Sequence, residues 1–149
     1  MYIETNSMDP YCSCGKFPAR LAEIPPRVLV IDNEPLVRWS LKAGLKAAGF
    51  DASGAVDAAE ALALARQSPP DVILLDMSLW DTDPVRLLKE LRSIAPGCRF
   101  VCLAVSGQDV PCAGLDGCNV VRKPFDLHEV VRVVEATLCP THRLPHVAG

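Results

Sequence analysis

Two aspartates occupy matching places in the chain. Val28-Leu29-Val30-Ile31 runs into Asp32, and Val72-Ile73-Leu74-Leu75 runs into Asp76, each an unbroken apolar tetrad closed by an acid. Asn33 and Glu34 follow the first acid, and a lysine, Lys123, follows the short stretch Val120-Val121-Arg122. Clustered carboxylates with a backbone carbonyl nearby suit Mg2+, a hard cation that takes oxygen ligands and keeps several waters. An aspartate is also a competent phosphoryl acceptor where a metal and a cation neutralise the transferring oxygens. Lys123 could be that cation, a point charge that pairs with Asp76 at rest and with a phosphoryl oxygen afterwards. One acid at a strand end is more often a solvated helix cap. Only if the three positions converge do they make a site, so the elements that carry them matter.

The apolar tetrads have the pattern of parallel strands buried on both faces. After the first, Pro35 suits the opening turn of a helix with Val37, Leu41, Leu45 and Ala48 on its apolar face, Arg38, Lys42 and Lys46 on its polar face, and Gly49 as the stop. Phe50 to Ala55 reads as a weak strand containing Gly54, and Asp57 with Glu60 forms a capping box for an Ala/Leu helix ending at Ser68-Pro69-Pro70. Beyond Asp76, Asp83-Pro84 opens a helix with Leu87, Leu88, Leu91 and Ile94 at helical spacing, closed by Pro96-Gly97. A strand from Arg99 to Val105 follows. Ser106 to Gly117 is so broken by Gly and Pro that a fourth helix is expected only as a stub. A short strand at Val120-Val121 then leads to Lys123-Pro124, and Asp126 with Glu129 caps a last helix bearing Leu127, Val130, Val131, Val134 and Leu138. The order is an α/β repeat, (βα)5, with a parallel sheet covered on both sides. Sites in such sheets form at the carboxyl ends of the strands, where Asp32, Asp76 and Lys123 fall. Residues 1–26 read as an irregular N-terminal arm, 27–138 as the domain and 139–149 as a tail.

The chain has 149 residues, 50% of them hydrophobic, enough for one ordinary core. Its 15 basic and 18 acidic residues give a net charge of −3 with no basic run, which argues against direct DNA binding. No apolar run approaches the about 18 residues of a membrane span, so a cytoplasmic protein with no membrane contact is expected. Seven cysteines without a signal peptide suggest reduced thiols rather than a disulfide framework. Cys12-x-Cys14 lacks a second pair at zinc spacing. An aspartyl-phosphate hydrolase would need a second Asp where Ser78 stands, and a dinucleotide fold would need a Gly-rich turn where Asn33-Glu34-Pro35 stands. The chain is therefore not expected to be an enzyme.

Three blocks together resemble the response-regulator receiver family: Val28-Leu-Val-Ile-Asp32-Asn33-Glu34-Pro35, Val72-Ile-Leu-Leu-Asp76-Met77 and Lys123-Pro124-Phe125. The resemblance covers about residues 27–138. It implies a flavodoxin-like, doubly wound sheet of strand order 2-1-3-4-5, a cis Lys123-Pro124 bond and Asp76 as phosphoacceptor. It also implies Mg2+ held by Asp76, Asn33, the Ser78 carbonyl and, through water, Asp32. The donor would be a sensor histidine kinase or a phosphotransfer protein. With only eleven residues after the domain, output is expected through contact with a downstream protein, and a homodimer is compatible with that.

The sequence departs from the family pattern at several positions. Asn33 replaces the usual second Asp, so one ligand carries no charge. Trp80 stands in place of the usual Pro, and Pro84 in place of the usual Gly. The switch hydroxyl at the end of the fourth strand aligns with Ala104, or with Ser106 if the register slips by two, and the switch aromatic of the fifth strand aligns with Val120. Two readings follow: a stand-alone phosphoacceptor, favoured by the retention of Asp76 and Lys123, or a degenerate receiver that binds a partner without being phosphorylated, favoured by Asn33, Ala104 and Val120.

Overall fold

A computed structural model describes residues 24–79, 83–110 and 118–138. Its elements run β1 (Arg27–Ile31), α1 (Pro35–Ala47), β2 (Asp51–Ala55), α2 (Ala58–Gln67), β3 (Val72–Asp76), α3 (Pro84–Ile94), β4 (Arg99–Val105), β5 (Cys118–Lys123) and α4 (Leu127–Leu138). All strand pairs are parallel, in the order β2-β1-β3-β4-β5. This is the flavodoxin-like arrangement expected.

Period-2 alternation divides the core into two layers. Val28, Val30, Val72, Leu74, Val101, Leu103 and Val121 face α1 and α4, where Leu41, Leu45, Val130 and Val134 meet them. Leu29, Ile31, Ile73, Leu75, Phe100, Cys102 and Ala104 face α2 and α3, against Ala61, Ala65, Leu87 and Leu91. A strand buried on both faces has no position for a polar residue until its end, which is why the acids sit where they do.

The local signals act through specific contacts. Gly49 takes φ of +100°, the left-handed conformation that ends α1. Asp57 Oδ1 accepts from the Glu60 amide, while Glu60 Oε1 accepts from Val56 N–H, one residue outside the capping position. Asp83 caps α3 by accepting from the Val85 amide, and Asp126 Oδ1 accepts from the Glu129 amide. Cys98, Cys102 and Cys118 are buried thiols, and burial pushes Cys98 up to about 11. Most of the expected helix stub (111–117), together with Trp80, Cys12-Cys14, the arm up to residue 23 and the tail from 139, lies outside the described residues. Among the described residues no helix is long and apolar enough to cross a membrane.

Candidate functional site

Asp76 is the last residue of β3 and Asp32 directly follows β1, its neighbour in the sheet, so the two carboxylates emerge side by side at the carboxyl edge. Lys123 ends β5, two strands from β3, and its long side chain crosses the edge to place Nζ 3.2 Å from Asp76 Oδ1. The same oxygen accepts from the Ser78 amide at 2.9 Å. Asp76 is thus a buried carboxylate with Oδ1 held twice, and its Oδ2 makes no hydrogen bond to the described residues. The Lys123-Pro124 bond is cis.

Asp32 is fully buried. Its Oδ1 accepts from the Glu34 amide at 2.9 Å, while Oδ2 is buried with no partner among the described residues. Burial is the largest influence on this group and raises its pKa. The Glu34 amide acts against that, Asp76 reinforces it, and Lys123 opposes it. A buried oxygen with no donor, on a carboxylate pushed toward its neutral form by burial and, less strongly, by a second carboxylate, is the kind of group a cation relieves. The donor chemistry therefore fits Mg2+: Asp32, Asp76, the amide oxygen of Asn33 and the carbonyl of Ser78. Among the described residues no three His, Cys, Asp or Glu side chains gather into a cage. The set is two carboxylates plus neutral oxygens, which suits an ion that keeps several of its waters.

Asn33 is half-buried in the turn between Asp32 and α1, and Ser78 is exposed in the loop after β3. Ala104 is fully buried on β4, opposite Arg122 in register, whereas Ser106 lies beyond the strand in an exposed turn. Val120 is half-buried on β5 and packs against the layer that contains Ala104. An open groove of about 350 Å3, lined by Glu34, Val37, Leu41, Lys123, Phe125 and Leu127, leads along α1 up to the lysine.

Two long side chains that the sequence did not point to the site take part. Arg38, assigned to the polar face of α1, donates from Nη1 to the Asp32 carbonyl at 2.7 Å. It reaches there because Gly54 on β2 has no side chain: a Cβ at that position would lie 3.0 Å from Arg38 Cγ and Cδ and 2.9 Å from Lys42 Cδ. The signal was the glycine inside a strand, which marks a close approach. Gln108, just past the turn after β4, donates from Nε2 to the Met77 carbonyl at 3.1 Å. No sequence signal singles it out.

Comparison with known proteins follows the same lines. A family model described as the response regulator receiver domain matches residues 28–135. The chain is similar to the transcriptional regulatory protein PrrA of Mycobacterium leprae, 41% identical over 118 residues that make up 76% of this chain and 50% of that protein. It is also similar to the DNA-binding dual master transcriptional regulator RpaA of Synechocystis, 31% identical over 128 residues, 83% of this chain and 53% of that one. It spans about half the length of these curated relatives. Among solved structures, the receiver domain of NtrX from Brucella abortus superposes with a TM-score of 0.67 at 26% identity, covering 74% of this chain and 97% of that one. Chemotaxis protein CheY4 of Vibrio cholerae does so with 0.68 at 22%, covering 76% and 99%, a likeness of fold.

Proposed function

This chain belongs to the response-regulator receiver domain family, and from that premise we propose that it accepts a phosphoryl group on Asp76 from a sensor histidine kinase or a phosphotransfer protein. The observation that carries the reading is the buried Asp76 carboxylate with Oδ1 fixed by Lys123 and the Ser78 amide.

In this reading Oδ2, free of those bonds, attacks phosphorus in line with the leaving imidazole nitrogen of the donor. The new O–P bond forms as the N–P bond breaks, and the departing nitrogen keeps the electron pair and, once neutral, one proton on the ring. Mg2+ bound among Asp32, Asn33, Asp76 and the Ser78 carbonyl supplies charge neutralisation for the transferring oxygens. Lys123 then exchanges its carboxylate partner for a phosphoryl oxygen without moving far. Arg38 holds the Asp32 backbone, so that the second carboxylate stays aimed at the site.

As an acceptor from an ATP-fed kinase, the protein works in the cytoplasm and has no catalytic turnover of its own. Its net charge of −3 favours output by contact with a protein rather than with DNA. A second reading, a receiver that binds its partner unphosphorylated, draws on Ala104, which places a methyl group where a hydroxyl would respond. The readings separate on treatment with acetyl phosphate and Mg2+. Acid-stable, hydroxylamine-labile label on the wild type and none on Asp76→Asn fits the first. Equal label on both, or none on either, removes it.

A further inference from the structure

The β3–β4 ladder ends in an unusual way beside Asp76. Register pairs Asp76 with Leu103, and the Met77 amide donates to the Leu103 carbonyl at 2.9 Å, continuing the parallel pattern by one bond. The next rung of such a ladder would run from the Val105 amide to the Met77 carbonyl. In its place stands the side chain of Gln108. The Val105 amide donates to Gln108 Oε1 at 3.0 Å, and Gln108 Nε2 donates to the Met77 carbonyl at 3.1 Å. A carboxamide has the donor and acceptor of a peptide group, so it completes the rung while keeping the two strand ends farther apart than one hydrogen bond of about 2.9 Å would allow.

The wedge is itself held. Gln108 N–H donates back to the Val105 carbonyl across a turn whose third residue, Gly107, has φ of +82°, as a type II turn requires. Arg122 on β5 donates from Nη1 to the Val105 carbonyl at 3.1 Å and to the Gln108 carbonyl at 2.6 Å. Lys123, the next residue, is in register with Val105. One side chain thus fixes the Met77 carbonyl from the turn after β4, while the residues on either side of Met77 are Asp76, which carries the carboxylate, and Ser78, whose amide binds it.

We propose that Gln108 is a positioning residue for chemistry at Asp76: as a carboxamide wedge between β3 and β4, it sets the path of the loop that carries Met77 and Ser78, and with it the oxygen geometry offered to a divalent cation. The proposal rests on the phosphoacceptor reading for its purpose, but its structural content can be measured without any phosphoryl group. Without the wedge, the Val105 amide can close directly on the Met77 carbonyl, and the Ser78 carbonyl moves with the loop.

The test uses the full chain, Gln108→Ala and Gln108→Glu, with Mg2+ as the probe. Hydrogen-bond scalar couplings in the wild type should connect Gln108 Nε2 to the Met77 carbonyl carbon, and in Gln108→Ala the coupling should connect the Val105 nitrogen to it instead. Gln108→Glu keeps the length and the acceptor but loses the donor, so it should lose the wild-type coupling. The midpoint of the Mg2+ titration, read from the Asp76 and Ser78 amide resonances, should weaken about fivefold in both variants, the equivalent of one ordinary hydrogen bond. Unchanged midpoints in both variants would overturn the proposal even if the couplings rearrange, since the wedge would then be scaffolding only. If the wild type takes no label from acetyl phosphate while the midpoints shift, the phosphoacceptor reading fails and the positioning role stands. If the wild type shows no Mg2+ midpoint, both fall.

Discussion

Asp32 is fully buried beside a second carboxylate, and its pH dependence has a definite sign. Burial raises its pKa, so the folded chain holds the proton more tightly than the unfolded one. Its contribution to stability is therefore greatest at low pH, declines as pH rises from the unfolded carboxyl range through the folded pKa, and stays low above it. At neutral pH, in a chelator, Asp32→Asn should raise stability by about 1 kcal/mol, a few degrees in Tm, by removing a buried oxygen that has no donor. Thermal melts with added Mg2+ should stabilise the wild type and leave Asp32→Asn nearly unchanged; equal responses would show that Asp32 does not face the ion. Asp32 and Asp76 were legible in the sequence because each ends an unbroken apolar run, and Lys123 because it closes the short strand around Val120-Val121 just before Pro124, so that strand geometry decides all three positions. Arg38 and Gln108 were not, because a long side chain reaches over several ångströms and its target depends on which neighbour leaves room.

Among the secondary-structure elements, α1 and α4 pack closely where Gly44 faces Leu127. A Cβ on Gly44 would lie 2.5 Å from Leu127 Cδ2 and 2.6 Å from its Cγ, so the whole side chain would have to move. Gly44→Ala gains helix propensity yet should still cost about 1–3 kcal/mol through overpacking, measured by denaturant unfolding. Gly44→Ala combined with Leu127→Ala should recover part of the loss; an additive double mutant would contradict the packing argument. Gly54→Val acts at the sheet edge, crowding the Arg38 stem, and should weaken Mg2+ binding without touching a ligand, an effect that isothermal titration would read. Most elements could be read in advance, because β1 and β3 are unbroken apolar runs and the helices are announced by Pro35, Asp57, Asp83 and Asp126. The Gly and Pro spacing of 106–117 says only that a regular helix is disfavoured, and the carboxamide rung at its start has no periodic signature to betray it.

For the whole molecule, the question is how far a change at Asp76 travels. Ala104 offers no hydroxyl, Ser106 lies outside the strand in an exposed turn, and Val120 is β-branched with a nearly fixed χ1. Without differential contacts in the two states, coupling to β5 and α4 should fall below the roughly 1–3 kcal/mol usual for allostery. Amide hydrogen exchange with beryllofluoride and Mg2+ should therefore change protection mainly in the loops after Asp32 and Asp76. Broad changes across residues 120–138 would show a working switch, with Ser106 or the Gln108 wedge as its moving part. All of this depends on Asp76 being the acceptor, and one measurement addresses that directly. Borohydride reduces an acyl phosphate to the alcohol, so protein treated with acetyl phosphate and Mg2+, then borohydride, and mapped by tandem mass spectrometry should carry homoserine at position 76 and at no other aspartate. An unreduced Asp76 in labelled protein, or homoserine at a different acid, would contradict the account.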